Sequence, residues 1–315
     1  MNYTQQANQW LRRFKVEVTS NSNRLFANGR QQVRVSVTLE ARDGHTISDA
    51  SLDSLRLFVL DDDGIECDLE HTDPTKLGLM ASSTRDERFE YHGHAGQIQA
   101  RRLDMFSTSK RRHFYVSTTL PGGSLCTLYA RIQNDEQVWV DTRRAPFVSS
   151  VTLEPVTPVH LDETHFALDR EDAHRQTDYD LDVWHLRFVN PNYRIAANRH
   201  LKRPGVGYFS IKTDGHVSTT PVGRPQYITK IYTLHAFDVG TQPHWVSLDR
   251  KYQQTLTAKP DTMTLLRARL TIRRRVVLDR QFDSIWAVID QHGNEHLIKF
   301  LPEDDGNTIR FTTQL

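Results

Sequence analysis

Cysteine is scarce, with only Cys67 and Cys126 in 315 residues. Two thiols are too few for a disulfide scaffold or a four-thiolate zinc site. Each follows a turn, Asp61-Asp62-Asp63-Gly64 and Pro121-Gly122-Gly123, so a bridge between facing strands and two free, half-buried thiols both remain open. Long apolar runs are missing too. No stretch approaches the uncharged length that a membrane-spanning helix needs, so no integral span is expected. Met1 to Arg13 is polar and lacks the apolar region of a secretory signal. The expectation is a cytoplasmic chain, one exported by a signal-independent route, or one already processed. Charge of one sign is also lacking: 40 Lys and Arg stand against 39 Asp and Glu, a formal net charge of +1. That balance gives no long-range pull toward nucleic acid or an anionic membrane, and no nucleic-acid partner is expected.

Motifs of chemistry are missing as well. There is no GxSxG elbow, no Walker loop and no GxGxxG, and Gly205-Val206-Gly207 alone is too little. What the chain has instead is alternation. In Val33-Arg34-Val35-Ser36-Val37-Thr38-Leu39-Glu40 every second residue is apolar. Successive strand side chains point to opposite faces, so such a segment dries one face and wets the other. The rhythm recurs at Phe14–Val18, Leu55–Leu60, Val138–Val140 and Trp286–Ile289. Further strands are predicted at His113–Thr119, Leu125–Ile132, Asp180–Val189, Gly207–Lys212, Gln226–Phe237, Met263–Leu278, Ser284–Asp290, Glu295–Leu301 and Thr308–Thr313. One short helix is predicted near His165–Arg175, capped by Asp162 or Thr164. The texture changes between Arg143 and Pro158. The fold class that follows is all-β with little helix: two β-sandwich domains, residues 1–148 and 149–315.

Leu25-Phe26-Ala27-Asn28-Gly29, followed by the alternating Gln32–Ala41 and by Asp43-Gly44, resembles the opening of bacterial immunoglobulin-like modules of the invasin and intimin type. The resemblance covers about the first 60 residues and, more loosely, the first 150. It implies an immunoglobulin-like first domain that acts as a spacer or binding surface, with no catalytic residues to carry over.

Five features compete with bland explanations. Arg267, Arg269, Arg273 and Arg275 share one face of a predicted strand, with Leu270, Ile272 and Val276 on the other. Four guanidinium groups on one face would attract phosphate, sulfate or carboxylate. Alternatively, they pair across strands with Asp178, Asp180 and Asp182, which share a face of their own. His160, Asp162 and His165 carry metal-ligand chemistry at a spacing that matches no metal motif, and a surface loop is the simpler reading; no metal is expected. His92 and His94 flank Gly93 and supply two ligands at most. The acidic runs at Asp61–Gly64 and Glu303–Asn307 read as Asp-Gly turns rather than calcium loops. Trp245 follows Pro243 and is a candidate partner-binding anchor, while Trp139, Trp184 and Trp286 read as core.

These observations point to a non-enzymatic binding or structural protein that recognises a protein or carbohydrate. An appendage, a phage tail or a secreted toxin would suit such a module. No cofactor is called for, and unpaired edge strands leave a homo-oligomer open. The alternatives are a secreted effector or toxin acting on host membranes or a receptor, and a metal-dependent hydrolase built on His160, Asp162 and His165.

Overall fold

The computed structural model describes residues 9–70, 73–93, 109–175, 179–201, 209–212, 218–219, 225–226, 229–240, 243–249, 252–272, 284–302 and 308–315. The chain forms two compact units, Met1–Pro158 with His292–Asn294, and Val159–Gln291 with Glu295–Leu315.

In the first unit, alternation becomes strand wherever it was predicted. The order is β1 (Leu11–Val18), β2 (Arg24–Phe26), β3 (Val33–Ala41), α1 (Asp49–Ser54), β4 (Arg56–Leu60) and β5 (Glu66–Asp68). Then follow α2 (Pro74–Leu77), β6 (Leu79–Ser82), β7 (Lys110–Thr118), β8 (Cys126–Gln133), β9 (Trp139–Asp141) and β10 (Val151–Val156). One antiparallel sheet runs β1-β3-β7-β6; the other runs β2-β10-β8-β4-β5, with β9 also paired to β8. The β2–β10 pairing is parallel, so this second sheet is mixed. Val33, Val35, Val37, Leu39, Phe114 and Val116 from the first sheet share one apolar core with Leu57, Leu128, Ala130, Ile132 and Leu153 from the second. Each of these side chains larger than alanine contributes about 1.5–3 kcal/mol by leaving water. The division falls ten residues beyond position 148 because β10 pairs with β8 and β2 and thereby completes the first unit's second sheet.

Local chemistry fixes the turns. Asp61 Oδ1 accepts from the backbone N–H of Asp63 and Ile65, and Gly64 takes φ +74°, so this acidic run is the β4–β5 hairpin turn. Ser48 caps α1 by accepting from Ser51 N. Both thiols are free. Burial pushes that of Cys126 up to about 11.

The second unit opens with a single 3-10 turn at Glu163–His165, capped by Asp162. It continues through β11 (Phe166–Arg175), β12 (Tyr179–Phe188), β13 (Ile195–His200), β14 (Phe209–Lys212), β15 (Ser218–Thr219), β16 (Pro225–Gln226) and β17 (Thr229–Ala236). The remaining strands are β18 (Pro243–Asp249), β19 (Tyr252–Thr257), β20 (Met263–Ile272), β21 (Ser284–Asp290), β22 (Glu295–Pro302) and β23 (Ile309–Thr312). Its sheets are β11-β12-β20-β17-β14 and β13-β21-β22-β23, with ribbons β15-β16 and β18-β19. Trp184, Leu186, Met263 and Leu265 meet Trp286, Val288, Ile298 and Phe300 in one core. On the other face of the five-stranded sheet, Leu181, Val183, Leu266 and Ala268 form a second cluster with Phe237.

The predicted helix at His165–Arg175 is corrected to the strand β11. Its charged residues form cross-strand pairs, among them Asp169 with Arg187, and Phe166 faces the core. Trp139 is corrected from core to surface, 41% exposed, with Arg131 stacked 5.1 Å from its ring. No helix among the described residues is long and apolar enough to cross a membrane.

Candidate functional site

The arginine stripe resolves first. Arg267 stands opposite Asp182 across β20 and β12, and Arg269 opposite Asp180. Arg267 Nη2 lies 3.1 Å from Asp182 Oδ2 and 3.8 Å from Asp180 Oδ2. Arg269 Nη2 is 3.5 Å from Asp180 Oδ2, and Arg170 on β11 donates to Asp182 Oδ1 at 2.9 Å. The side chains of Arg267, Asp180 and Asp182 are 4%, 4% and 0% exposed. The anion-binding reading is therefore corrected at Arg267 and Arg269, whose charges face aspartates of their own sheet. Burial pushes the Asp182 carboxyl up and the Arg267 guanidinium down, each opposed by the attraction between them. Arg273, Arg275 and Asp178 lie outside the described residues.

Of the other predicted residues, Asp162 and His165 meet, while His160 is turned to a backbone oxygen. Nδ1 of His160 bonds the backbone oxygen of Glu295 at 2.9 Å. Asp162 Oδ1 accepts from Thr164 N and lies 2.9 Å from Nδ1 of His165, which is cap chemistry. Among the described residues no three His, Cys, Asp or Glu side chains are grouped to hold a metal ion. Trp245 falls within β18, opposite Thr255, rather than in a loop, and its side chain lies outside the described part. His94 and Glu303–Asn307 lie outside the described residues as well.

A different set of groups comes together on the outer face of the β1-β3-β7-β6 sheet. The valines of β3 point into the core, so Arg34, Ser36 and Thr38 point the other way. Register places Arg34 beside Tyr115, Ser36 between Glu17 and His113, and Thr38 between Lys15 and Arg111. Arg34 donates Nε to Thr19 Oγ1 at 3.0 Å and Nη2 to Thr19 O at 2.9 Å. The Thr19 hydroxyl lies against that of Ser36, which lies 2.7 Å from Nδ1 of His113. Arg111 donates Nε to Thr38 Oγ1 at 3.3 Å. Lys15 is paired with Glu17, whose carboxyl is held low by that bond. Neither Arg34 nor Arg111 forms an ion pair with a carboxylate among the described residues, though the Arg111 charge helps hold Glu17 low; hydroxyl and carbonyl oxygens orient both guanidinium groups. Burial, then Arg34 and Arg111, push the His113 imidazole below its ordinary value.

Two residues further along β7 this face reaches a cleft of about 180 Å³, lined by Gly29, Gly78, Met80, Ser117 and Thr119 among others. Gly29 and Gly78 line it without side chains and hold φ of +71° and +62°, conformations that favour glycine. Met80 is 42% exposed at its rim.

The polar face of β3 was visible in the sequence, but neither its partners nor the burial of Ser36 and Thr38 on it was. Ser36 and His113 are 77 positions apart, and only strand register joins them. The signal that points to the site is the cationic alternation Arg111, His113, read against Arg34. No family model matches the chain, and no curated protein matches its sequence.

Proposed function

We propose that this protein is a non-enzymatic binding module, a pair of β-sandwiches with an immunoglobulin-like first unit, which recognises an anionic partner on the outer face of the β1-β3-β7-β6 sheet. The observation that carries this reading is the setting of Arg34 and Arg111. Their guanidinium groups are braced by Thr19 and Thr38 rather than spent on carboxylates. A braced fork on rigid strands is preorganised for sulfate, phosphate or carboxylate, because little side-chain freedom is lost on binding. The Ser36–His113 pair supports binding rather than acyl transfer: Ser36 is fully buried, and the charges that bear on His113 come from Arg34 and Arg111. A nucleophile's base is normally oriented by a carboxylate.

The test is fluorescence anisotropy of labelled dextran sulfate and labelled polyglutamate at low ionic strength. Binding of at least one, weakened by salt and lost in Arg34→Glu/Arg111→Glu, supports the reading. Arg24→Glu, which changes an exposed arginine on β2 of the first unit's other sheet, leaves binding intact. No binding of either polymer overturns the reading.

A further inference from the structure

Resting on that reading, we propose that the anionic partner is a sulfated carbohydrate, one ring seated in the cleft beside Met80 and its sulfate groups on Arg34 and Arg111. The argument is the order of groups along one strand. On β7, Arg111, His113, Tyr115 and Ser117 follow at two-residue steps on the same face. Each step covers about 7 Å, so the two cationic rows and the cleft lie on a line roughly 20 Å long. The line begins with charge and ends in a neutral, mostly apolar cleft walled by glycine, Leu79, Met80 and Thr119, where Ser117 is buried and Thr119 offers the exposed hydroxyl. The cleft is open to solvent, and its volume is comparable to that of an enclosed cavity of about 150 Å³ that holds benzene, so it has room for a single six-membered ring. A ring that carries hydroxyls and repeats along a chain of sulfates has the same order of groups.

Two rival polyanions fit less well. A single-stranded nucleic acid stacks its bases on open aromatic faces. Here Arg85 covers the Tyr91 ring at 4.4 Å from its centroid, and Tyr115 is half-buried. An acidic peptide draws its affinity from apolar anchors in deep pockets. On this face Met80 is the exposed large apolar side chain among the described residues, and it stands at the rim of a small cleft. Sulfate suits the charge density better than one carboxylate per ring: Arg13, Lys15, Arg34 and Arg111 face this side against Glu17 and Glu40.

The experiment uses the full chain and measures affinity for a heparin-derived hexasaccharide, an oligogalacturonate of equal length, polyglutamate and a short oligothymidylate. Thr119→Trp and Met80→Trp fill the cleft without changing charge, and both positions are solvent-facing, so the fold is retained. The expected result is tightest binding of the sulfated hexasaccharide. Each tryptophan variant weakens it by about tenfold or more and leaves polyglutamate unchanged. Arg111→Glu weakens both ligands. If polyglutamate, oligothymidylate or oligogalacturonate binds as tightly as the hexasaccharide, or if both tryptophan variants bind it like the native chain, the carbohydrate assignment is overturned while the anion-binding face stands. If none of the four binds, both fail.

Discussion

At Arg267 the guanidinium is enclosed by Asp180, Asp182 and the strands around it, whereas at Arg34 two nitrogens rest on Thr19, the residue that follows β1. The same side chain therefore serves two ends. Removing one partner from the enclosed cluster leaves a buried charge without its counter-ion. Asp182→Ala is expected to cost about 3–5 kcal/mol in urea unfolding of the second unit, whereas joint apolar replacement of Asp180, Asp182, Arg267 and Arg269 comes close to neutral. Histidines set the acid limit. His92, His113 and His185 are all pushed below their ordinary value, burial being the first cause in each. Their folded-state values lie below the unfolded ones, so between the two the unfolded chain holds more protons. The stability they confer is complete above the unfolded value of about 6.5 and is lost as pH falls below it. Urea midpoints measured from pH 8 to pH 5 are expected to fall, and His113→Gln flattens that slope. A midpoint that rises on acidification would contradict these shifts.

Among elements, the long strands were legible because one face of each is dry. Val33–Ala41, Tyr179–Phe188 and Ser284–Asp290 announce themselves by alternation or by a continuous apolar run. The short strands β2, β5 and β6 do not, since three or four residues give no period, and tertiary pairing decides them. The sequence of β11 suits a helix as well as an edge strand, because the acidic Asp169 and Glu171 serve either, and in the strand they form ion pairs. The arginine stripe was legible as a stripe, and the aspartates opposite it as their counterpart. Which of the two readings held depended on burial, which sequence does not carry. Close approaches between elements are equally hidden. A Cβ on Gly122 would sit 2.2 Å from Thr157 Oγ1 and 2.5 Å from its backbone nitrogen. Gly122→Ala therefore forces the turn before β8 away from the segment after β10. Its thermal midpoint is expected to drop by several degrees, against little change for Gly123→Asn, whose positive φ Asn tolerates and whose Cβ meets open space. Within β8, Ala130 N donates to the buried Thr142 Oγ1 at 3.0 Å. Thr142→Val removes that acceptor and is expected to cost about 1–3 kcal/mol.

At the scale of the molecule, near-neutral net charge coexists with a locally cationic sheet face. The charges cancel in the sum, not in place: Asp and Glu are consumed by pairing in clusters such as Glu66 with Arg131 and Arg143, while Arg34 and Arg111 are oriented by neutral oxygens. Binding through that face should consequently be short-ranged and steeply weakened by salt, without the long-range steering a strongly basic protein shows. The most direct measurement is arginine footprinting: modification by a dicarbonyl reagent, mapped residue by residue by mass spectrometry, with and without saturating dextran sulfate. Arg34 and Arg111 are predicted to react in the free protein and to be shielded by the polymer, while Arg267 stays unreactive in both. Equal reaction of Arg34 and Arg111 with the polymer bound would contradict the assignment of this face.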